Sequence, residues 1–350
     1  MSGLTRRGFL GVTAAVAASF SLPQQALARA LLEPAAPADV PTTLQQTVLQ
    51  RTVVQNKFFR TLTSGPGEEI AVRTDLVAAD PSPARVPARR SIAYLGHTSD
   101  IHIIDAQTPA WLDPVAEFDF TLLPGVCRPQ ETMSVHVQGA MIQALADAAT
   151  SPVTGAPMMA VLNTGDNSDR LSNLELRWYI DLFDGQTVTP NSGAPGQYEG
   201  PQAWPEVNYA YHPDDPANDP YGQYGFPTIP GLLEAVVSSE VTSPGSPAPW
   251  YTVYGNHDTT INGTFGIDES FRNLATGGTK GYAFPGFASD LFRGMAADVS
   301  PATRLFNNLR QQLGNNPGFR KVAADPARKL LTGVDFMKQH LDSPDVPGPV

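Results

Sequence analysis

Ser91 to Asp105 reads SIAYLGHTSDIHIID, an apolar run that breaks into Asp100-Ile101-His102. In an extended strand, residues two apart point to the same side, so this spacing predicts a carboxylate oxygen and an imidazole nitrogen directed at one ion. Two later stretches have the same build: Met158 to Asp169, MMAVLNTGDNSD, and Trp250 to Asp258, WYTVYGNHD. Between the first two, Val137, Met141, Ala144, Leu145 and Ala148 recur at helical spacing across Ser134 to Thr150. After the second, Leu171, Leu174, Trp178 and Leu182 keep one face of a helix that Gly185 would end. Strand, helix, strand, helix implies α/β layering with strands ending on a common edge. Ligands in open α/β sheets collect outside the carboxyl ends of strands, and D-x-H, G-D-x-x-D and G-N-H-D stand at three such ends.

The 350 residues, 41% of them hydrophobic, suffice for a sizeable core in one large domain or two ordinary ones. A net charge of -11 argues against the basic face that a nucleic-acid groove requires. It leaves phosphate substrates open, because bound divalent cations reverse the local field of a carboxylate-rich site. With 33 prolines and 30 glycines, much loop is expected between regular elements. A single cysteine, Cys127, rules out an intrachain disulfide, and its apolar flank reads as packing.

At the N-terminus, Thr5-Arg6-Arg7-Gly8-Phe9-Leu10 has the twin-arginine arrangement, followed by an uncharged segment and the small-x-small site Ala26-Leu27-Ala28. Residues 1–28 are therefore expected to be a removed export signal. The partner implied is the twin-arginine (Tat) export machinery, and the destination periplasmic, cell-wall-associated or extracellular. The apolar run is shorter than the roughly 20 residues a span needs, so no stable membrane span is expected after removal. Residues 29–90 read as an N-terminal extension, with Thr43 to Leu62 compatible with helix or strand. Residues 91–350 read as the main domain, interrupted at about 186–228 by a Pro-, Gly- and Tyr-rich loop whose tyrosines either line a substrate cleft or, the stronger expectation, tether it by aromatic packing. Gly231 to Ser239 is helix-like, and beyond Asp258 loop and short helices are expected at Phe271 to Leu274, Pro301 to Leu313 and Ala327 to Leu341, with no further strand.

Carboxylate, imidazole and amide oxygen are the mixed ligands of divalent Mn, Fe or Zn. Two such ions about 3.5 to 4 Å apart clamp a phosphate ester and lower the pKa of a water between them. A carboxylate of the second motif is the natural bridge, its two oxygens serving two ions. A nucleophilic hydrolase built on Ser99 or Ser168 lacks the G-x-S-x-G elbow.

Over roughly residues 91–260 the three blocks in this order resemble the calcineurin-like metallophosphoesterase superfamily, whose motifs read D-x-H, G-D-x-x-[DN], G-N-H-[DE], a lone His, then G-H-x-H. The resemblance implies a layered α/β fold, a phosphate mono- or diester substrate and two divalent metal ions. Asp100 and His102 would bind the first metal, Asp166 would bridge, and Asn256 would bind the second. His257 would be the general acid for in-line attack by a metal-activated hydroxide, with Asp169 orienting it and Asp258 behind the ligands. Arg170 stands where some members place a phosphate-contacting arginine, and reads equally as an exposed arginine at a helix start; Arg128-Pro129-Gln130-Glu131 is a candidate for the pocket rim.

The last two blocks are absent: after His257 the next histidine is His340, in the amphipathic KLLTGVDFMKQHLD, expected on a helix surface. His97 reads as a turn residue, and His136 and His212 as surface or packing residues. Without the last blocks the chain is expected to be the N-terminal part of a longer phosphoesterase, inactive alone. The alternative is an exported binding or scaffold protein that keeps the fold without catalysis.

Overall fold

The computed structural model describes residues 37–53, 57–69, 71, 73–76, 82–111, 113–117, 126–260, 263, 267–283 and 318–343. The export signal expected in residues 1–28 and the helix expected from Pro301 to Leu313 lie outside these. The fold is mixed α/β with small sheets. In chain order the elements are β1 (Gln46–Val53), β2 (Arg60–Pro66), β3 (Leu95–Thr98), α1 (Ser134–Asp147), β4 (Ala160–Asn163), α2 (Asn173–Phe183), β5 (Thr187–Val188), α3 (Pro220–Tyr224), α4 (Leu232–Ser238), β6 (Val241–Thr242), β7 (Trp250–Thr252), α5 (Glu269–Thr276), β8 (Thr279–Gly281), β9 (Phe319–Lys321) and α6 (Gly333–Leu341).

Three short parallel strands in the order β3-β4-β7 form the sheet that positions the site. Parallel strands need crossover connections, usually helical, and α1 and α2 lie in the stretches joining them. The register places Thr98, Asn163 and Thr252 side by side. All three chains therefore leave the sheet at one edge, the carboxyl edge, and the three motif loops begin there.

One core joins these elements: Ile142 of α1, Val161 of β4, Leu176, Tyr179, Ile180 and Phe183 of α2, Trp250 of β7 and Phe336 of α6. Each such side chain contributes roughly 1.5 to 3 kcal/mol by leaving water. Phe183 stacks on Trp250 with ring centroids 4.9 Å apart. The sequence starts α2 at the expected place because the Ser172 hydroxyl accepts from the Glu175 amide at 3.1 Å, filling a donor with no partner inside the helix. A capping box of Thr332 and Asp335 starts α6 in the same way.

Within residues 43–62, open between helix and strand by pattern, the described part is strand: β1 pairs antiparallel with β2, Gln46 opposite Pro66. Phe59 and Phe226 hold this pair to the long loop at 4.9 Å. That loop is tethered by its aromatics: Tyr198, Tyr209, Tyr211 and Tyr221 are all buried. Beyond Asp258, where no further strand is expected, β8 and β9 pair antiparallel. Each is three residues long, too short to carry an alternating pattern. His340, expected at the surface, is 2% exposed, packed on Phe336 with ring centroids 4.3 Å apart and near Trp250 and Tyr179. The helix face judged polar from its sequence is the one that meets the core. His97 is on strand β3 and bonds Thr164 Oγ1 at 3.1 Å. His212 is half-buried between the carbonyls of Gln202 and Val207. Among the described residues no helix is long and apolar enough to cross a membrane.

Candidate metal centre

Beyond the strand ends, the first two motif loops keep pairing through their backbones. Asp100 N–H donates to Gly165 O at 3.1 Å, His102 N–H to Asp166 O at 2.9 Å, Ile103 N–H to Asn167 O at 3.0 Å, and Asp169 N–H to Ile103 O at 2.9 Å. Asp100, His102 and Asp166 sit at φ of 54°, 51° and 53°, in the left-handed region that non-glycine residues rarely adopt. Strain of this kind costs on the order of 1–3 kcal/mol per residue and clusters at functional sites. The strand alternation expected to pair Asp100 with His102 is therefore not what pairs them, since β3 ends at Thr98. Two left-handed residues flanking Ile101 do.

Glycine is required where the second and third loops meet. A Cβ on Gly255 would lie 2.1 Å from Asp166 Oδ1 and 2.3 Å from Asp166 N. That bare edge lets the His257 N–H reach Asp166 Oδ1 at 2.8 Å. Asp258, wholly buried, ties the loops together from beneath. Its Oδ2 accepts from Asn167 N (3.2 Å), Asn167 Nδ2 (3.0 Å) and Gly255 N (3.0 Å), and its Oδ1 from Ser168 N (2.8 Å) and Ser168 Oγ (3.1 Å). Burial still leaves its pKa above the ordinary carboxylate value.

The side chains then converge. His102 Nε2 lies 3.9 Å from Asp100 Oδ1 and 3.8 Å from Asp166 Oδ2, and one ligand atom from each of the three falls within 4.8 Å of the others. These separations are too long for hydrogen bonds. They suit donors about 2.1 Å from a shared ion, whose ligand atoms stand roughly 3 to 4 Å apart. Two carboxylates and an imidazole are also the donor chemistry of a divalent cation, so the residues fit a metal ion.

Behind them Asp169 is fully buried and receives two imidazoles on one oxygen, His102 Nδ1 at 2.8 Å and His257 Nδ1 at 2.9 Å. The two rings meet edge to face, centroids 4.3 Å apart. Arg128 Nη2 donates to the other oxygen at 2.7 Å. Burial pushes the Asp169 pKa up, but the hydrogen bonds from His102 and His257 and the charges of Arg128 and Arg170 outweigh it and hold the group far below the carboxylate range. An ionised carboxylate only accepts, so both Nδ1 atoms carry protons. The lone pair of neutral His102 is thereby left on Nε2, the atom facing Asp100 and Asp166. The bond to Asp169 raises the His257 pKa despite partial burial.

Asn256 is exposed on the same turn, its carbonyl accepting from Thr259 Oγ1 at 2.5 Å. Arg170 is not brought to the site. It is 2% exposed, its guanidinium 4.0 Å above the Trp111 ring, with Nη1 donating to Asp105 O at 2.6 Å and to Glu175 Oε1 at 3.3 Å. The left-handed turn at Leu171 follows it directly. Among the described residues, the cation that bonds Asp169 is Arg128, whose own segment carries no spacing signal because Asp169 lies 41 residues away.

A second group of donors, Asp113, Cys127 and Glu131, is buried nearby. Lys280 Nζ already sits 2.5 Å from Asp113 Oδ2 and supplies its counter-charge, and burial pushes Glu131 up to about 7. Arg128 pairs with Glu131 at 3.3 Å, so both carboxylates of this cluster already have cationic partners. Comparison of the chain with protein-family models, with curated proteins and with solved structures finds no match in any of the three.

Proposed function

We propose that this chain is an exported metal-dependent phosphoesterase of calcineurin-like fold, acting on phosphate mono- or diesters with two divalent ions of Mn, Fe or Zn type. The observation that carries the proposal is the convergence of Asp100, His102 and Asp166 at ligand spacing, beside a His257 anchored on Asp169. Asp100, His102 and Asp166 would hold the first ion, with Asp166 and Asn256 the residues that would serve the second. When bound, the ions supply Lewis acidity toward the phosphoryl oxygens and a more acidic water.

The protein's own part is orientation and proton delivery. Asp169 fixes both imidazoles by Nδ1, so His102 presents Nε2 as a donor atom and His257 presents Nε2 as the atom that carries or gives up a proton. With Nδ1 held by Asp169, the His257 Nε2 is the atom free to give a proton to a leaving oxygen. The Asp166 side chain does double duty, its Oδ1 accepting the His257 N–H and its Oδ2 facing His102.

Metal content and aryl-phosphate hydrolysis of the wild-type chain and of Asp166→Asn test this, beside a version extended to any natural continuation of the reading frame. Mn²⁺-dependent turnover that Asp166→Asn abolishes is the expected result. Unchanged turnover in the variant, or no metal bound by either form, refutes the phosphoesterase assignment and leaves a binding protein on the same scaffold.

A further inference from the structure

Arg128 lies outside the three motifs, yet it touches the residue on which both imidazoles hang. Its Nη2 donates to Asp169 Oδ2 at 2.7 Å, and its Nε donates to Glu131 Oε1 at 3.3 Å. The Arg128 amide reaches the same Glu131 oxygen at 2.9 Å. The backbone on either side is pinned by the long loop: Tyr221 Oη donates to Cys127 O at 2.7 Å, and Gln202 Nε2 donates to Pro129 O at 3.2 Å. The guanidinium is thus held at its backbone and at its fork before it meets Asp169, and its side chain is only 20% exposed.

We infer that Arg128 is a positioning residue: by occupying Asp169 Oδ2, it leaves Oδ1 aimed at both His102 and His257 and so fixes the two imidazoles toward the metal centre. A carboxylate has two oxygens and free rotation about its last bond. With Oδ2 unengaged, Asp169 could turn so that each imidazole took a separate oxygen, and the 4.3 Å edge-to-face approach of the rings would open. Asp169 is the outer partner that sets the His102 ring, a kind of contact whose loss typically costs 10- to 100-fold in metal affinity, and Arg128 acts through it. The role also gives the long loop a function, because Tyr221 and Gln202 hold the turn that carries Arg128. This inference rests on the metal-site reading above.

Charge and position predict opposite signs. Removing a cation beside a divalent ion tightens the ion's binding by simple electrostatics. Losing the orientation of His102 weakens it.

The test uses the full chain as wild type, Arg128→Gln and Arg128→Lys, with thermal melts to confirm folding, and two readouts. The first is the pair of imidazole Nδ1–H signals in NMR spectra of metal-free protein. The second is Mn²⁺ affinity by titration calorimetry. The wild type is expected to show both Nδ1–H protons. Folded Arg128→Gln is expected to lose at least one and to bind Mn²⁺ about tenfold more weakly or worse, with Arg128→Lys recovering part of both.

Unchanged protons with Mn²⁺ affinity unchanged or tighter in Arg128→Gln overturn the inference. If Arg128→Gln does not fold, Arg128→Lys alone is judged: partial loss of both readouts supports the role, and no change overturns it. Unfolding of both variants shows a structural residue and overturns it as well. A wild-type chain that binds no Mn²⁺ fails the phosphoesterase proposal, while the proton readout still judges Arg128.

Discussion

Asp258 makes a prediction whose size follows from its bonds. The carboxylate is wholly buried and accepts from five donors, three of them backbone amides of the second and third motif loops. Asp258→Ala removes every acceptor at once. A buried donor left without a partner costs about 1–3 kcal/mol, and partial relaxation of the two side-chain donors brings the expected loss to about 4–6 kcal/mol. Asp258→Asn behaves differently. Its amide is placed best with oxygen at the Oδ2 position, keeping Asn167 N, Asn167 Nδ2 and Gly255 N satisfied. Its NH₂ then faces Ser168 N–H, one donor against another, while Ser168 Oγ reverses to accept. One orphaned amide and a lost charge amount to about 2–3 kcal/mol. Urea unfolding followed by circular dichroism measures both. The ordering matters most: a loss for Asn equal to or greater than that for Ala, or losses under about 1 kcal/mol for both, would refute the clip between the loops.

His340 makes stability depend on pH. Burial lowers its pKa to about 4 from 6.5, against the Phe336 carbonyl bond that raises it. The folded state thus favours the neutral ring, and stability present above pH 6.5 is lost as pH falls toward 4. The loss attributable to this residue is about 2 kcal/mol by pH 5 and about 3 kcal/mol at most, and His340→Leu should flatten the slope of denaturant stability across that window. Arg170 acts inside the protein, on Asp105 and Glu175. Arg170→Lys is therefore expected to lower stability by about 1–3 kcal/mol without raising KM for an aryl phosphate, and a raised KM with unchanged stability would restore the substrate contact expected from its position in the motif.

The three strand-end motifs and the α/β order around them were legible because each is local. An apolar run followed by polar residues marks where a strand stops, and the helical spacing of Leu171, Leu174, Trp178 and Leu182 marks the helix after the second motif, whereas the last helix begins at Gly333 behind its Thr332 cap rather than at Ala327. The β8–β9 pair was not legible, since strands of three residues hold too few positions for a period. His340 and Arg170 were misplaced for a related reason: amphipathic spacing says that a helix has two faces and motif spacing says which residue follows which, but neither says what packs on them. Arg128 reads from sequence only as a rim candidate, because nothing local connects it to a carboxylate 41 residues along the chain.

The sequence by itself determined the donor types, their order and the strand ends that carry them, because ligand chemistry and chain termination act within a few residues. Tertiary structure decided how they combine. The common register of Thr98, Asn163 and Thr252 puts three loops on one edge, and left-handed turns at Asp100, His102 and Asp166 bring their side chains together. Burial of Asp169 gathers His102, His257 and Arg128 on one carboxylate. A charge taken out of water must find partners wherever the fold supplies them, and here those partners come from three segments that only packing brings together.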